Sequence, residues 1–159
     1  MKTKLLILDR DGVLNIAPSE EQIYITKIDD FLLNYDFISK LRHINRELPI
    51  CVISNQQGVA KRLIEISTIS SFETLIQKEL SRFEIQITKF YYCFHLQETG
   101  CECRKPKIGN FLKAMNDFEV SYKECLYIGD QESDEISARN ANIKFFYVND
   151  ISTQLIASL

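Results

Sequence analysis

Leu5-Leu6-Ile7-Leu8-Asp9-Arg10-Asp11-Gly12-Val13 runs four apolar residues into two acids, a base and a glycine. A short apolar run bounded by charge and glycine reads as a buried strand. Asp9 and Asp11 then leave its C-terminal tip on the same side of an extended backbone, and Gly12 lets the chain turn at once. In an open α/β sheet that edge is where ligands bind. Two acids so close repel each other unless a cation or a shared proton compensates. Taken alone, the stretch reads equally well as a solvated strand-to-turn junction, because Asp and Gly are ordinary turn residues. The rest of the chain decides between that reading and divalent-metal and phosphate chemistry.

The pattern of apolar run and polar tip recurs. Ile50-Cys51-Val52-Ile53 is followed by Ser54-Asn55-Gln56-Gln57-Gly58, and Leu126-Tyr127-Ile128 by Gly129-Asp130. Phe90-Tyr91-Tyr92 and Phe145-Phe146-Tyr147-Val148 read as two further strands. Between them apolar residues recur at helical spacing: Phe37, Leu41, Ile44 and Leu48 up to Pro49; Ile69, Phe72, Ile76, Leu80 and Phe83; Ile108, Phe111, Leu112, Met115 and Phe118. A short helix is expected over 134–141 and a last helical turn or two within 152–159, while 15–30, with Pro18 and several acids, reads as irregular. Strands alternating with helices predict one Rossmann-like α/β domain over 1–159. Its five-stranded parallel sheet has right-handed crossovers and helices on both faces. Asp9/Asp11, Ser54/Asn55 and Asp130 then meet at one sheet edge, although far apart in sequence. Three polar motifs at three strand tips outweigh the turn reading.

With 159 residues, 26% charged and 45% hydrophobic, the chain has the composition of a single soluble globular domain. A net charge of -3 without a basic stripe argues against a nucleic-acid partner. No apolar run reaches membrane-spanning length, and the four-residue run before Asp9 is too short for a signal-peptide core. A cytoplasmic monomer acting on a small molecule, with no membrane partner, is expected. Five cysteines are an odd number, and in a reducing compartment their crowding favours metal over disulfide. Cys93-Phe94-His95, five residues, then Cys101-Glu102-Cys103 supplies three thiols and one imidazole, the donor set of a closed structural zinc site. The plain alternative is a group of reduced thiols beside a surface histidine. Cys51 and Cys125 fall in or beside strands and read as inert core residues.

With these pieces placed, the sequence resembles the haloacid dehalogenase superfamily of phosphatases. The matching motifs are Asp9-Arg10-Asp11-Gly12-Val13, Ser54-Asn55-Gln56, Arg104-Lys105-Pro106, and Gly129-Asp130 with Asp134. The loop over 93–103 running into Arg104-Lys105-Pro106 is similar to a narrower zinc-loop group, that of D-glycero-D-manno-heptose-1,7-bisphosphate phosphatase and the phosphatase domain of histidinol-phosphatase. The resemblance implies a magnesium-dependent phosphomonoesterase in which Asp9 is the nucleophile and Asp11 the general acid and base. Asp9, the Asp11 backbone carbonyl and Asp130 would hold Mg2+, and Cys93, His95, Cys101 and Cys103 would hold Zn2+. Ser54, Asn55 and Gln56 would meet the phosphoryl oxygens beside Lys105, and Arg104 would meet a second anionic group. Asp134 would support the metal site or cap the following helix.

The chain departs from that pattern at Ser54, where many relatives carry threonine, at Phe94, and at Gln131, where a basic residue is common. The intervals between motifs leave no room for a cap domain, so the loops over 15–30 and 93–103 should shape access. Asp9 through Asn15, Gly58-Val59-Ala60 and Gly109 favour the heptose bisphosphate as substrate. The short interval from His95 to Cys101 is closer to the histidinol-phosphate enzymes. A phosphorylated polynucleotide end and a non-catalytic zinc-stabilised binding module are the remaining alternatives.

Overall fold

In the computed structural model, which describes residues 2–19 and 22–159, β1 (Leu5–Leu8) lies at the centre of a five-stranded sheet. Glu20 and Glu21, in the stretch read as irregular, and Met1 lie outside the described residues. The other strands are β2 (Ile50–Asn55), β3 (Lys89–Cys93), β4 (Cys125–Gly129) and β5 (Lys144–Tyr147). All neighbours are parallel, in the order β3-β2-β1-β4-β5. The chain steps outward from β1 through β2 to β3, then returns to the other side for β4 and β5. That reversal opens a crevice at the carboxyl ends of the strands flanking β1.

Strand alternation sorts the apolar residues into two cores. Leu6 and Leu8 join Ile50, Val52, Leu126 and Ile128 beneath α1 (Tyr35–Leu41), α2 (Ile66–Ser81) and α5 (Thr153–Ala157). Leu5 and Ile7 join Cys51, Ile53, Cys125 and Tyr127 beneath α3 (Gly109–Asp117) and α4 (Glu132–Asn140). Helices therefore cover both faces. Residues 9–34, so far as described, contain one turn of 3-10 helix at Ile28–Asp30 and bridges from Asn15 to Asp11 and Leu33. Among the described residues no cap domain covers the sheet edge. Among the described residues no helix is long and apolar enough to cross a membrane.

Several boundaries differ from the sequence expectation, and three of them have a local cause or bear on the site. The first helix stops at Leu41 instead of continuing to Leu48, because 3-10-type bonds from His43 and Ile44 to Lys40 and Leu41 tighten it. Asn45 then accepts from the Glu47 amide, a local turn that competes with helix. Ile44 and Leu48 are buried all the same, so their spacing recorded the core face and not a continuous helix. The fourth helix begins at Glu132 and not at Asp134, whose carboxylate accepts the Gln131 backbone N–H in front of the first turn. The last strand spans Lys144–Tyr147, and Val148 opens a 3-10 turn.

Candidate active site

At the crevice a pocket of about 230 Å³ is lined by Asp9 and Asp11 beyond β1, Ser54 and Asn55 at the end of β2, Lys105 on the loop before α3, and Asp130 beyond β4. Ala17 and Pro18 form one rim, Gln131 and Ser133 another. A second pocket of about 160 Å³ adjoins it through Lys105 and is lined by Arg104, Lys107 and the 97–101 segment. A roomier depression of about 790 Å³ runs between α2 and the β3 edge, but its charged residues, Glu73, Lys78 and Lys89, form no convergent constellation. The strand-tip pocket is where the chemistry concentrates.

Asp9 is buried, and its Oδ1 accepts from the Arg10 backbone N–H at 2.7 Å and pairs with Lys105 Nζ at 2.9 Å. Burial pushes its carboxyl up to about 8; Lys105 pulls the other way, and Asp134, Asp11 and Asp130 push it up further. The site thus needs more positive charge than Lys105 supplies to keep Asp9 ionised. Lys105 is itself buried, which by itself would lower its pKa, yet the Asp9 and Asp134 carboxylates hold it above its ordinary value.

Asp134 does both things that were open in the sequence. Its Oδ2 accepts the backbone N–H groups of Asp130 and Gln131, each at 3.1 Å, fixing the turn that carries Asp130. Its Oδ1 accepts from Lys105 Nζ at 2.6 Å and from the Tyr127 hydroxyl at 2.7 Å. Burial alone would raise its pKa, but Lys105, Tyr127 and the Gln131 amide hold it low. With both oxygens committed, Asp134 supports the site and is not free to ligate a metal, although it lies beside Asp9 and Asp130.

Asp11 is clamped by donors. Arg10 Nη2 reaches its Oδ1 at 2.9 Å and Oδ2 at 3.1 Å, Asn15 Nδ2 reaches Oδ1 at 3.0 Å, and Gln56 Nε2 reaches Oδ2 at 2.7 Å. Gln56 also donates to Ser54 Oγ at 3.0 Å, which leaves the Ser54 proton free for a ligand. Arg10 and Asn15 were missed as site residues. Arg10 is almost completely buried, its guanidinium over the rings of Phe31 and Phe72 at 5.6 and 5.3 Å. Asn55 also differs from expectation. Both ends of its amide hold the Lys105 backbone, at 3.1 and 3.0 Å, so it aligns the lysine loop instead of aiming at phosphoryl oxygens.

Asp130 carries the clearest sign of a cation. Gln131 Nε2 donates to its Oδ2 at 2.8 Å, while its Oδ1 is buried with no hydrogen-bond partner among the described residues. Gln131 therefore orients this carboxylate where a basic residue would have competed for it. Gly12, at φ +83°, passes so close that a Cβ there would stand 2.0 Å from Asp130 Oδ2. No side chain fits, and the Asp11 backbone is drawn up beside Asp130. The donor set of Asp9, Asp130 and nearby backbone fits a hard divalent ion that prefers oxygen.

The cysteine cluster is assembled as the spacing predicted. Cys93 ends β3, His95 follows it, and a 3-10 turn over Gln97–Thr99 with Gly100 at φ +66° folds Cys101 and Cys103 back. His95 Nδ1 lies 3.2 Å from Cys103 Sγ and 3.6 Å from Cys93 Sγ, and Cys101 Sγ lies 3.5 Å from each of the other thiols. A tetrahedron with Zn–S of about 2.3 Å and Zn–N of about 2.0 Å has S–N edges of about 3.5 Å and S–S edges of about 3.8 Å, close to these separations. All four donor atoms fall within 4.8 Å of one another.

A family model described as "Haloacid dehalogenase-like hydrolase" matches residues 61–148. The chain is 39% identical over 144 residues to D-glycero-alpha-D-manno-heptose-1,7-bisphosphate 7-phosphatase of Campylobacter jejuni subsp. jejuni serotype O:2, spanning 90% of this chain and 80% of that protein. It is 29% identical over 143 residues to D-glycero-beta-D-manno-heptose-1,7-bisphosphate 7-phosphatase of Helicobacter pylori, spanning 89% and 80%. Among solved structures, D,D-heptose 1,7-bisphosphate phosphatase from B. bronchiseptica, complexed with magnesium and phosphate, superposes with a TM-score of 0.83 at 24% identity, covering 90% of this chain and 79% of that one. That likeness is one of fold.

Proposed function

The chain belongs to the haloacid dehalogenase-like hydrolases, and from that membership we propose that it is a magnesium-dependent phosphatase removing the 7-phosphate of D-glycero-D-manno-heptose 1,7-bisphosphate. The observation that carries the reading is the gathering of Asp9, Asp11, Ser54, Lys105 and Asp130 around one pocket. Asp9 attacks phosphorus in line, an Asp9 Oδ–P bond forms, and the P–O bond to the sugar breaks. Asp11 gives its proton to the leaving sugar oxygen. Water then attacks the aspartyl-phosphate, Asp11 takes up the water's proton, and Asp9 departs as a carboxylate. Lys105 and the Ser54 hydroxyl face the charge that grows on the phosphoryl oxygens. Asp9, the Asp11 carbonyl and Asp130 would hold magnesium, which would supply positive charge against the phosphate and the carboxylates.

Arg104 supports a substrate with a second anion. Its Nη1 is buried without a partner among the described residues, beside the adjoining pocket where Lys107 adds another cation. A sugar bisphosphate would pair both ends. Turnover of the α and β heptose bisphosphates should exceed that of histidinol phosphate and of a phosphorylated oligonucleotide by about 100-fold in kcat/KM, the scale of one lost hydrogen bond to a charged group. Comparable rates on histidinol phosphate would sink the substrate assignment. No turnover of any phosphate ester with magnesium present would sink the phosphatase reading.

The Cys3His cluster is read as a structural zinc site, with all four positions taken by protein and none left for a water. Three reduced thiols at such a site suit the cytoplasm. Cys103→Ser should lose the bound zinc and several kcal/mol of stability, and a chelator should do the same to the wild type, because binding free energy is folding free energy in so small a loop. Metal analysis and thermal melts check this. A wild type that contains no zinc and melts unchanged with chelator would overturn it.

A further inference from the structure

The proton count at Lys105 points to a residue outside every motif. An ammonium has three protons and no acceptor. Acceptors for all three lie within reach of Lys105 Nζ: Asp9 Oδ1 at 2.9 Å, Asp134 Oδ1 at 2.6 Å and Tyr127 Oη at 3.0 Å. Because lysine only donates, Tyr127 must accept there, and its own proton goes to Asp134 Oδ1 at 2.7 Å. Asp134 then receives Lys105, Tyr127 and two backbone amides, which fills its acceptor capacity. This closed triangle is buried throughout.

Tyr127 differs from its partners in how it is held. It lies within β4, and its ring packs edge-on against Phe111 at 5.0 Å and tilted against Phe145 at 5.5 Å. Lys105 instead sits on a loop whose backbone Asn55 grips from β2. A rigid strand residue thus fixes the head of a flexible side chain that arrives from elsewhere. We infer that Tyr127 is a positioning residue that, with Asp134, anchors two of the three Lys105 protons and directs the third at Asp9. The inference rests on the phosphatase reading for its consequence. When Asp9 becomes an acyl phosphate, negative charge leaves its carboxylate and collects on the adjoining phosphoryl oxygens. The proton aimed at Asp9 is the one placed to follow that charge. Without the Tyr127 hydroxyl, the ammonium regains a free proton, Asp134 regains an open lone pair, and the head of Lys105 is drawn away from Asp9.

Tyr127→Phe removes only the hydroxyl and keeps the ring packing. The variant should fold with a melting temperature several degrees below wild type, keep KM for the phosphate ester within about threefold, and lose about 10-fold in kcat, the size of one charge-assisted hydrogen bond. A second readout needs no turnover. Nitrogen-15 NMR of the lysine ammonium groups should show one slowly exchanging signal, assigned by its loss in Lys105→Met, that broadens in Tyr127→Phe. An unchanged kcat, or a drop in melting temperature with kcat intact, would overturn the inference and leave Tyr127 a packing residue. If the wild type hydrolyses no phosphate ester, the phosphatase reading fails by itself. The ammonium signal then decides the positioning claim: broadening supports it and an unaltered signal overturns it.

Discussion

Asp9→Asn is expected to lower turnover by at least about 10^4-fold, because the amide oxygen cannot form the covalent intermediate on which both half-reactions depend. The fold should survive. Asparagine keeps the shape of the side chain and the Oδ1 acceptor that faces the Arg10 amide and Lys105. The stability effect should even be favourable in metal-free protein near pH 7. The folded-state pKa of Asp9 is raised by burial to about 8, so folding disfavours its ionised form, and the cost is present wherever the unfolded chain is ionised, above about pH 4. A neutral isostere does not carry it. The expected pair of results is therefore a dead enzyme with a melting temperature equal to or above wild type, and no phosphoryl adduct by mass after acid quench where wild type shows one. Retention of more than about a tenth of wild-type activity would assign the nucleophile to another group. Asp11→Asn should also be inactive, but as a failure of proton transfer.

The parts of this site that the sequence disclosed are those governed by strand period and by local turn chemistry. Asp9, Asp11, Ser54 and Asp130 each follow an apolar run, and parallel strands bring such tips together whatever their separation along the chain. The four zinc-type ligands lie within eleven residues, so their assembly is nearly a local matter. What remained hidden depends on partners brought in from far away. The Asn55 amide meets the backbone of a residue fifty positions on, and nothing in the order Ser54-Asn55 tells which of the two faces the pocket. Alternation along an extended backbone turns the Arg10 side chain away from Asp9 and Asp11. The length of the side chain then lets the guanidinium bend back to Asp11 while stacked on Phe31 and Phe72. Tyr127 reads as one more aromatic in a core strand, and only Lys105 and Asp134, arriving from two other elements, give its hydroxyl a task.

Lys105→Met is expected to be the most destabilising single substitution in the pocket, at about 3–5 kcal/mol, because it removes the cation that pairs the buried carboxylates of Asp9 and Asp134. Methionine fills a similar volume, so a cavity does not explain the loss. Asp134 keeps its backbone and tyrosine donors but loses the ammonium that does most to lower its pKa. Asp9 loses the one charge that opposes its rise, and its carboxyl moves further up. Activity should fall by at least about 10^2-fold through the missing stabilisation of phosphoryl charge. A double-mutant cycle separates this account from simple mispacking. If the cost is uncompensated charge, adding Asp9→Asn to Lys105→Met should recover part of it in denaturant melts above about pH 8, where Asp9 of the wild type is ionised beside the lysine, with a coupling of about 1–3 kcal/mol. Mispacking predicts costs that simply add. A Lys105→Met protein within about 1 kcal/mol of wild type would mean that water, and not the lysine, balances Asp9 and Asp134. The chain of contacts from Tyr127 to the nucleophile would then lose its central member.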